Sequence, residues 1–439
     1  MVNIKPFRGI RYNPEKIPNL SAVISQPHDR INADLQDKYY RLSPYNITRI
    51  IKGKAYPEDG ETNNIYTRAR DVYQAWLREG ILFKEQSPAL YVTHQTFPLP
   101  DGSLRTRRGL IAALEVTPYE EGIVLPHEQI LPKSMQDRLN LIKATEANFG
   151  SIFMLYSGAG INELLNHVLE QQKPLEFREL FEAEVHQQLW VVTDSDIITA
   201  IVKTMANKPN LIIADGHHRY QTAIKYRNKM QAKYPDALAE AGFHYRLVTL
   251  VSMDDPGLVI LPTHRLIRAN NQTSYTEMLE RAKEYFEITP VSDRAALEAS
   301  LDATKRKALP GFGLYDGTYA LFTLRSSDIL EHLLPHHSPE WQHLDVTIVH
   351  ELFIERVLGI DKQTVMLKEN VEFIRDANIG FQAVAQGEAD YLLLMNSTRI
   401  EQVQACTTAG ERMPQKSTDF YPKMLNGLVA FSVGAEDRV

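Results

Sequence analysis

The chain has a single cysteine, Cys406. One thiol closes no intrachain disulfide and builds no cysteine-cluster zinc site, so neither can hold this fold together. No apolar run approaches the length of a membrane span. The amino-terminal stretch Met1-Val2-Asn3-Ile4-Lys5-Pro6 lacks the apolar segment of a signal peptide. Both absences point to a cytoplasmic protein with no membrane partner. A surplus of positive charge is missing too: 48 Lys and Arg stand against 55 Asp and Glu, a formal net charge of −7. Nucleic acid is therefore not an expected partner. There is no internal repeat and no low-complexity tract. What remains is an ordinary globular composition, 44% hydrophobic and 23% charged. At 439 residues the chain exceeds one ordinary core, and two or three domains are expected.

The most concentrated chemistry lies in Asp215-Gly216-His217-His218-Arg219-Tyr220. The apolar run Leu211-Ile212-Ile213-Ala214 before it suits a buried strand, and the sequence after it continues as a helix to about Lys233. The polar cluster thus falls at a strand–turn–helix junction. The first amides of a helix have no partner within it, and the helix dipole adds positive potential there. Gly216 lets a ligand approach the backbone, and Arg219 offers a fork for phosphate or carboxylate. This reads as an anion-binding corner, with phosphate the favoured anion. The plainer alternative is a capped helix terminus, with Asp215 as the cap and the histidines as surface groups. A zinc site using His217 and His218 is awkward, because adjacent helical residues point about 100° apart.

Around this junction the expected organisation is an amino-terminal domain (1–120), a central catalytic domain (121–270) and a carboxy-terminal domain (271–439). In the first, Ile47-Thr48-Arg49-Ile50-Ile51 alternates like a strand, and 64–79 has the apolar spacing of a helix. Segments 89–97 and 106–114 look like paired strands around Asp101-Gly102. In the second, a polar helix at 135–147 precedes a strand at 152–156. Helix 161–172, strand 189–193 and helix 196–206 lead to the junction, and strand 245–251 follows it. Leu261-Pro262-Thr263-His264-Arg265 reads as a polar turn, with a linker near Asn270-Asn271-Gln272. The third mixes helices near 275–286 and 345–357 with short strands such as 391–395. The class is α+β, or mixed α/β; periodicity alone does not choose.

Three further groups carry candidate chemistry. His127-Glu128 is either a surface loop pair or a site in which Glu128 acts as general base on a hydroxyl. Arg138 and Lys143, on the following helix, could cover anionic oxygens or be solvated helix charges. Lys416-Ser417-Thr418 with Lys423 is either a polar turn between prolines or a segment folding back to supply cations.

Two resemblances add to this. The whole chain resembles a family of unknown function numbered ten-fifteen. Its marks include Pro6-Phe7-Arg8-Gly9-Ile10-Arg11-Tyr12-Asn13-Pro14, Ser43-Pro44-Tyr45-Asn46 and Ile213 to Tyr220. Others are Leu261-Pro262-Thr263-His264-Arg265, Met413-Pro414-Gln415-Lys416-Ser417-Thr418 and Phe420-Tyr421-Pro422-Lys423. Gln26-Pro27-His28-Asp29 departs from the family's usual Pro-Pro-Tyr-Asp, and Asp419 stands where an aromatic residue is usual. Locally, Asp215-Gly216-His217-His218-Arg219 is similar to the phosphate-binding box of the ParB and sulfiredoxin superfamily. Within it, the free serine kinases carry Asp-Gly-His-x-Arg, and Pro126-His127-Glu128 resembles the pair and glutamate upstream of their helix and strand. The implied fold is a multi-domain protein with a ParB/sulfiredoxin-like central domain.

That resemblance implies Glu128 as the base that deprotonates a serine hydroxyl. It implies Asp215 and His217 at the phosphoryl or metal site, Asp215 through Mg²⁺, and Gly216, His217, His218 and Arg219 around nucleotide phosphates. His127, Arg138, Lys416, Ser417, Thr418 and Lys423 are further candidates for substrate or phosphate contacts. The expected activity is phosphoryl transfer between ATP or ADP, with Mg²⁺, and a small hydroxyl amino acid such as serine or its phosphorylated form. A metal-dependent hydrolase or phosphatase using His127, Glu128 and His217 is one alternative, and a ParB-like nucleotide-binding regulator another. A sulfiredoxin-type reaction needs a cysteine in the box, where position 217 is histidine.

Overall fold

Leu110, Ala112 and Leu114 alternate along one strand with Ile111 and Ala113, and the two sets bury into separate cores. Because a strand sends successive side chains to opposite faces, this stretch belongs to a sheet covered on both sides. In the computed structural model, which describes residues 1–99, 101–128, 135–181, 185–269, 274–367 and 370–439, that sheet has nine strands. They are β1 (Ile4–Lys5), β2 (Leu90–Pro98), β3 (Leu104–Glu115), β4 (Val124–Pro126), β5 (Ile152–Tyr156), β6 (Leu175–Arg178), β7 (His186–Val192), β8 (Leu211–Asp215) and β9 (Tyr245–Ser252). Their spatial order is β4-β8-β5-β9-β3-β2-β7-β6, with β1 added antiparallel to β3. The expected hairpin is present, with Tyr91 opposite Ile111 and Val92 opposite Leu110. β8 runs parallel to β4 and antiparallel to β5.

The helices that matter here are α1 (Ile65–Arg78), α2 (Met135–Thr145), α3 (Ile161–Gln171), α4 (Ser195–Ala206) and α5 (His217–Lys233). On one face, α3 and α4 bring Ile161, Leu165, Ile201 and Met205 against β3, β5 and β9. The other face buries Leu139 and Ile142 of α2, Tyr226 and Met230 of α5, and Leu425, Leu428, Val429 and Phe431 from the end of the chain. A third cluster gathers Ile10, Tyr12, Tyr39, Tyr73 and Trp76. Asn64 starts α1 by accepting from Tyr66 N (2.9 Å) and Thr67 N (3.1 Å), while Thr67 Oγ1 accepts from Asn64 N (2.9 Å).

Ile47–Ile51 is not the strand its alternation suggests. Thr48–Ile51 forms a short helix, because the Asn46 side chain accepts from Thr48 N (3.0 Å) and Thr48 Oγ1 (2.6 Å). Local capping here outweighs β-branched propensity.

The chain divides into two compact units: Met1–Pro126, Ile130–Val259 and Pro422–Val439 form one, His127–Gln129 and Ile260–Tyr421 the other. Set beside the expected boundary at 120, strands from both sides of it share the nine-stranded sheet. The second unit is built on a six-stranded antiparallel sheet of β10 (His264–Ile267), β11 (Phe286–Val291), β12 (Gly311–Tyr315), β13 (Tyr319–Leu324), β14 (Val371–Ile374) and β15 (Tyr391–Leu394), ordered β11-β13-β12-β15-β10-β14. His264 and Arg265, expected in a polar turn, are buried at the start of β10. The linker expected near 270–272 lies outside the described residues. The architecture is mixed α+β with more than one domain. Among the described residues, no helix is long and apolar enough to cross a membrane.

Candidate functional site

Leu211, Ile212, Ile213 and Ala214 are buried in β8, and Asp215 ends the strand beyond an irregularity in its pairing with β5. Gly216 follows at φ 101° and ψ 28°, where a side chain is strained, and α5 begins at His217. A Cβ at Gly216 would lie 2.9 Å from Nε and Nη2 of Arg219, so glycine is what allows this arginine to fold back over the helix start. There Arg219 Nη2 donates to Asp215 Oδ2 (2.6 Å), and Nη1 donates to the Ser151 carbonyl (2.6 Å). Lys423 Nζ reaches the other carboxylate oxygen, Asp215 Oδ1 (3.4 Å).

Asp215 is therefore not the helix cap that sequence allowed; Gly216 stands at that position and supplies no capping side chain. The Asp215 carboxylate is instead held between two cations. Burial alone would raise its pKa, but Lys423, then Arg219 and His217, outweigh burial and hold it well below the usual carboxylate range. The corner thus combines a helix amino terminus, a guanidinium and an ammonium around one carboxylate, and it keeps a surplus of positive potential.

Lys423 is held in place by groups remote in sequence. Arg107, 1% exposed, donates to Gln95 Oε1 and the Pro422 carbonyl and lies over the Phe153 ring, while Gln95 Nε2 donates to the Lys423 carbonyl (3.2 Å). Lys423 thus returns to Asp215 from far along the chain, and neither Arg107 nor Gln95 was singled out in the sequence.

The remaining candidates separate by unit. Arg138, on α2, pairs with Asp137 and lines a small cavity together with Arg219 in the first unit. Lys143 on the same helix is exposed. His127, Glu128, Lys416, Ser417 and Thr418 belong to the second. There His127 is fully buried and its Nε2 bonds Thr418 Oγ1 (2.7 Å); Glu128 is bridged to Met413, and its Oε1 lies 3.8 Å from His127 Nε2. Ser417 Oγ donates to the Pro414 carbonyl (2.6 Å), and Lys416, at φ 58°, accepts at its carbonyl from Arg265 (3.2 Å).

Among the described residues, no group of three or more His, Cys, Asp or Glu side chains is arranged to hold a metal ion. Asp215 is the carboxylate the resemblance offers for Mg²⁺, and both its oxygens are engaged by cations. That donor set does not suit a resident divalent ion, which prefers one or two uncommitted carboxylates beside the substrate phosphates.

The cavity beside the corner also exposes what sequence reading missed. Its wall includes His28, Asn148, Gly150 and Arg246. Arg246 interrupts β9, whose eight residues are all buried, and a lone arginine in such a run was the available signal.

Comparison with solved structures finds a mutant free serine kinase in complex with AMP, 14% identical over 72% of this chain and 90% of that one, with TM-score 0.35. A conserved hypothetical protein from Pyrococcus furiosus is also 14% identical, covering 72% and 94%, with TM-score 0.35. SbnI from Staphylococcus aureus is 12% identical over 72% and 85%, with TM-score 0.34. No curated protein matches. The profile of the family described as "Protein of unknown function (DUF1015)" matches residues 4–347, most of the chain, and this protein belongs to that family.

Proposed function

We propose that this protein is a phosphoryl-transfer enzyme that binds the phosphates of ATP or ADP at the Asp215–Arg219 corner and exchanges a phosphoryl group with a small hydroxyl amino acid, serine being the first candidate. The observation that supports it is the clamp of Asp215 between Arg219 and Lys423 at the start of α5, above a glycine in the left-handed region. Phosphate oxygens entering there would compete with Asp215 for both cations, and the helix terminus would favour their charge. In the forward direction the hydroxyl oxygen forms a bond to the terminal phosphorus, the bond to the bridging oxygen breaks, and the nucleotide leaves with one phosphate fewer. The cations and the helix start would stabilise the transferring oxygens. Mg²⁺ would arrive as part of the nucleotide substrate. On the resemblance alone, Glu128 takes the hydroxyl proton, and His217 and His218 cradle phosphate.

The test is a thermal-shift titration with ATP, ADP and pyrophosphate, each with Mg²⁺. A ligand that binds only the native state raises the midpoint by mass action. An upward shift in the wild type, lost in Arg219→Ala, is expected. In Glu128→Ala the shift should survive while phosphorylation of serine disappears. No shift with any nucleotide overturns the reading.

A further inference from the structure

The cavity beside the corner has the chemistry of an anion site in its own right. Arg246 is 7% exposed. Its Nη2 donates to the Gly150 carbonyl (3.0 Å), and its Nε has no hydrogen-bond partner among the described residues. Arg138 pairs with Asp137 and Arg219 with Asp215, but the charged groups that act on Arg246 are those same two arginines. Burial, then Arg219 and Arg138, lower its pKa to about 9, so it stays a cation at neutral pH. A buried cation surrounded by cations is costly, and a hydrophobic residue of the same size would serve the fold better.

A second donor points the same way. Asn148 Oδ1 accepts from Leu247 N (3.3 Å), while its Nδ2 is buried and has no partner among the described residues. Both side chains line the cavity, as does the backbone of Gly150, where a Cβ would meet Asn426 Oδ1 at 1.9 Å. His28 also lines it; burial, then Arg138 and Arg219, lower its pKa to about 3, so its ring is neutral at pH 7. The volume is about 60 Å³. At 10–15 Å³ for each water position, that is roughly four to six waters, room for one carboxylate or phosphate group and not for a nucleotide.

We propose that the Arg246 cavity is a second oxyanion site, beside the nucleotide corner and sharing Arg219 in its wall, that holds the carboxylate or phosphate group of the small substrate. That the occupant is the phosphoryl acceptor rests on the reading above; that an oxyanion sits against Arg246 does not. The site then selects a small acid over a neutral alcohol, because a ligand without the anion would leave the cation and the amide unpaired.

The experiment compares wild type, Arg246→Met and Asn148→Asp by thermal shift, with inorganic phosphate, with acetate and with ATP plus Mg²⁺, all at constant ionic strength. Arg246→Met keeps the volume and removes the charge. Asn148→Asp keeps the acceptor for Leu247 N and replaces the donor that would face the ligand with a carboxylate oxygen, which repels an entering anion. Expected is a saturable wild-type shift with phosphate or acetate, weakened at least tenfold in both variants. Their midpoints without anion should equal or exceed that of the wild type, and the ATP shift should persist. A shift with phosphate alone identifies a phosphorylated ligand; a shift with acetate identifies a carboxylate. Equal anion shifts in wild type and Asn148→Asp, or none in the wild type, overturn the proposal whether or not ATP binds. Joint loss of the ATP and anion shifts in both variants also overturns it, because the cavity would then be part of the nucleotide site. An anion shift lost in the variants with no wild-type ATP shift keeps the cavity and removes the nucleotide reading.

Discussion

His28 shows how one side chain beside the arginines turns the site into a pH-dependent contribution to stability. Its pKa falls from 6.5 to about 3 through burial, then Arg138 and Arg219. Below pH 6.5 the unfolded chain takes up a proton at this position that the native protein refuses, so stability falls as pH drops from 6.5 toward 3. His94, His264 and His350 are lowered in the same direction, so the acid-side slope is shared. His28→Asn should flatten it without abolishing it, as urea denaturation at intervals between pH 4.5 and 7 would show. Asp215 does not confuse that window, because its folded pKa is depressed from 3.8 and its contribution is lost only at more acidic pH. An unchanged slope in His28→Asn would mean that the native protein protonates His28 as readily as the unfolded chain does.

At the scale of elements, the strand–turn–helix at 211–233 was legible because every signal agreed: an apolar run, a glycine at the junction and a strong helical sequence after it. The hairpin of β2 and β3 was legible for the same reason. Ile47–Ile51 misled because its alternation matched a strand while the deciding interaction came from the Asn46 side chain. Lys423 could be named only as a candidate, since its place depends on Arg107 and Gln95, more than 300 residues away. Arg246 was hidden inside a strand pattern, where its apolar neighbours set the reading. The dependence of Lys423 on Arg107 is testable. Arg107→Leu leaves the Pro422 carbonyl and Gln95 without their buried donor, and should cost about 3 kcal/mol. Chemical denaturation would measure that loss. Under native conditions nucleotide affinity should also fall several-fold, although Arg107 is not among the groups offered to the phosphates. Unchanged affinity in a destabilised variant would show that Lys423 holds its place without this support.

For the whole molecule, the consequential feature is that the first unit is discontinuous: residues 422–439 complete it after the second unit has intervened. Phe431 pairs with Asn148, Ala430 exchanges backbone hydrogen bonds with Ile10, and Leu425, Leu428, Val429, Phe431 and Val433 fill one of its cores. The family profile stops at residue 347, so a fragment designed from it would lack this segment. Each of those five side chains contributes about 1.5–3 kcal/mol on burial, on the order of 10 kcal/mol together. That is comparable to the whole stability of a domain, about 5–15 kcal/mol. Truncation after Tyr421 should therefore abolish the cooperative unfolding of the first unit, together with the Asp215–Lys423 contact. Circular dichroism melts and amide hydrogen exchange would report both units at once. Loss of protection in β3, β5 and β9 is expected, and a peptide of residues 422–439 added in trans should restore part of it. Wild-type protection of those strands in the truncated chain would mean that the sheet folds without the core residues of the terminal segment. The same topology constrains folding order, since the nine-stranded sheet cannot acquire its last core layer until the end of the chain has been made.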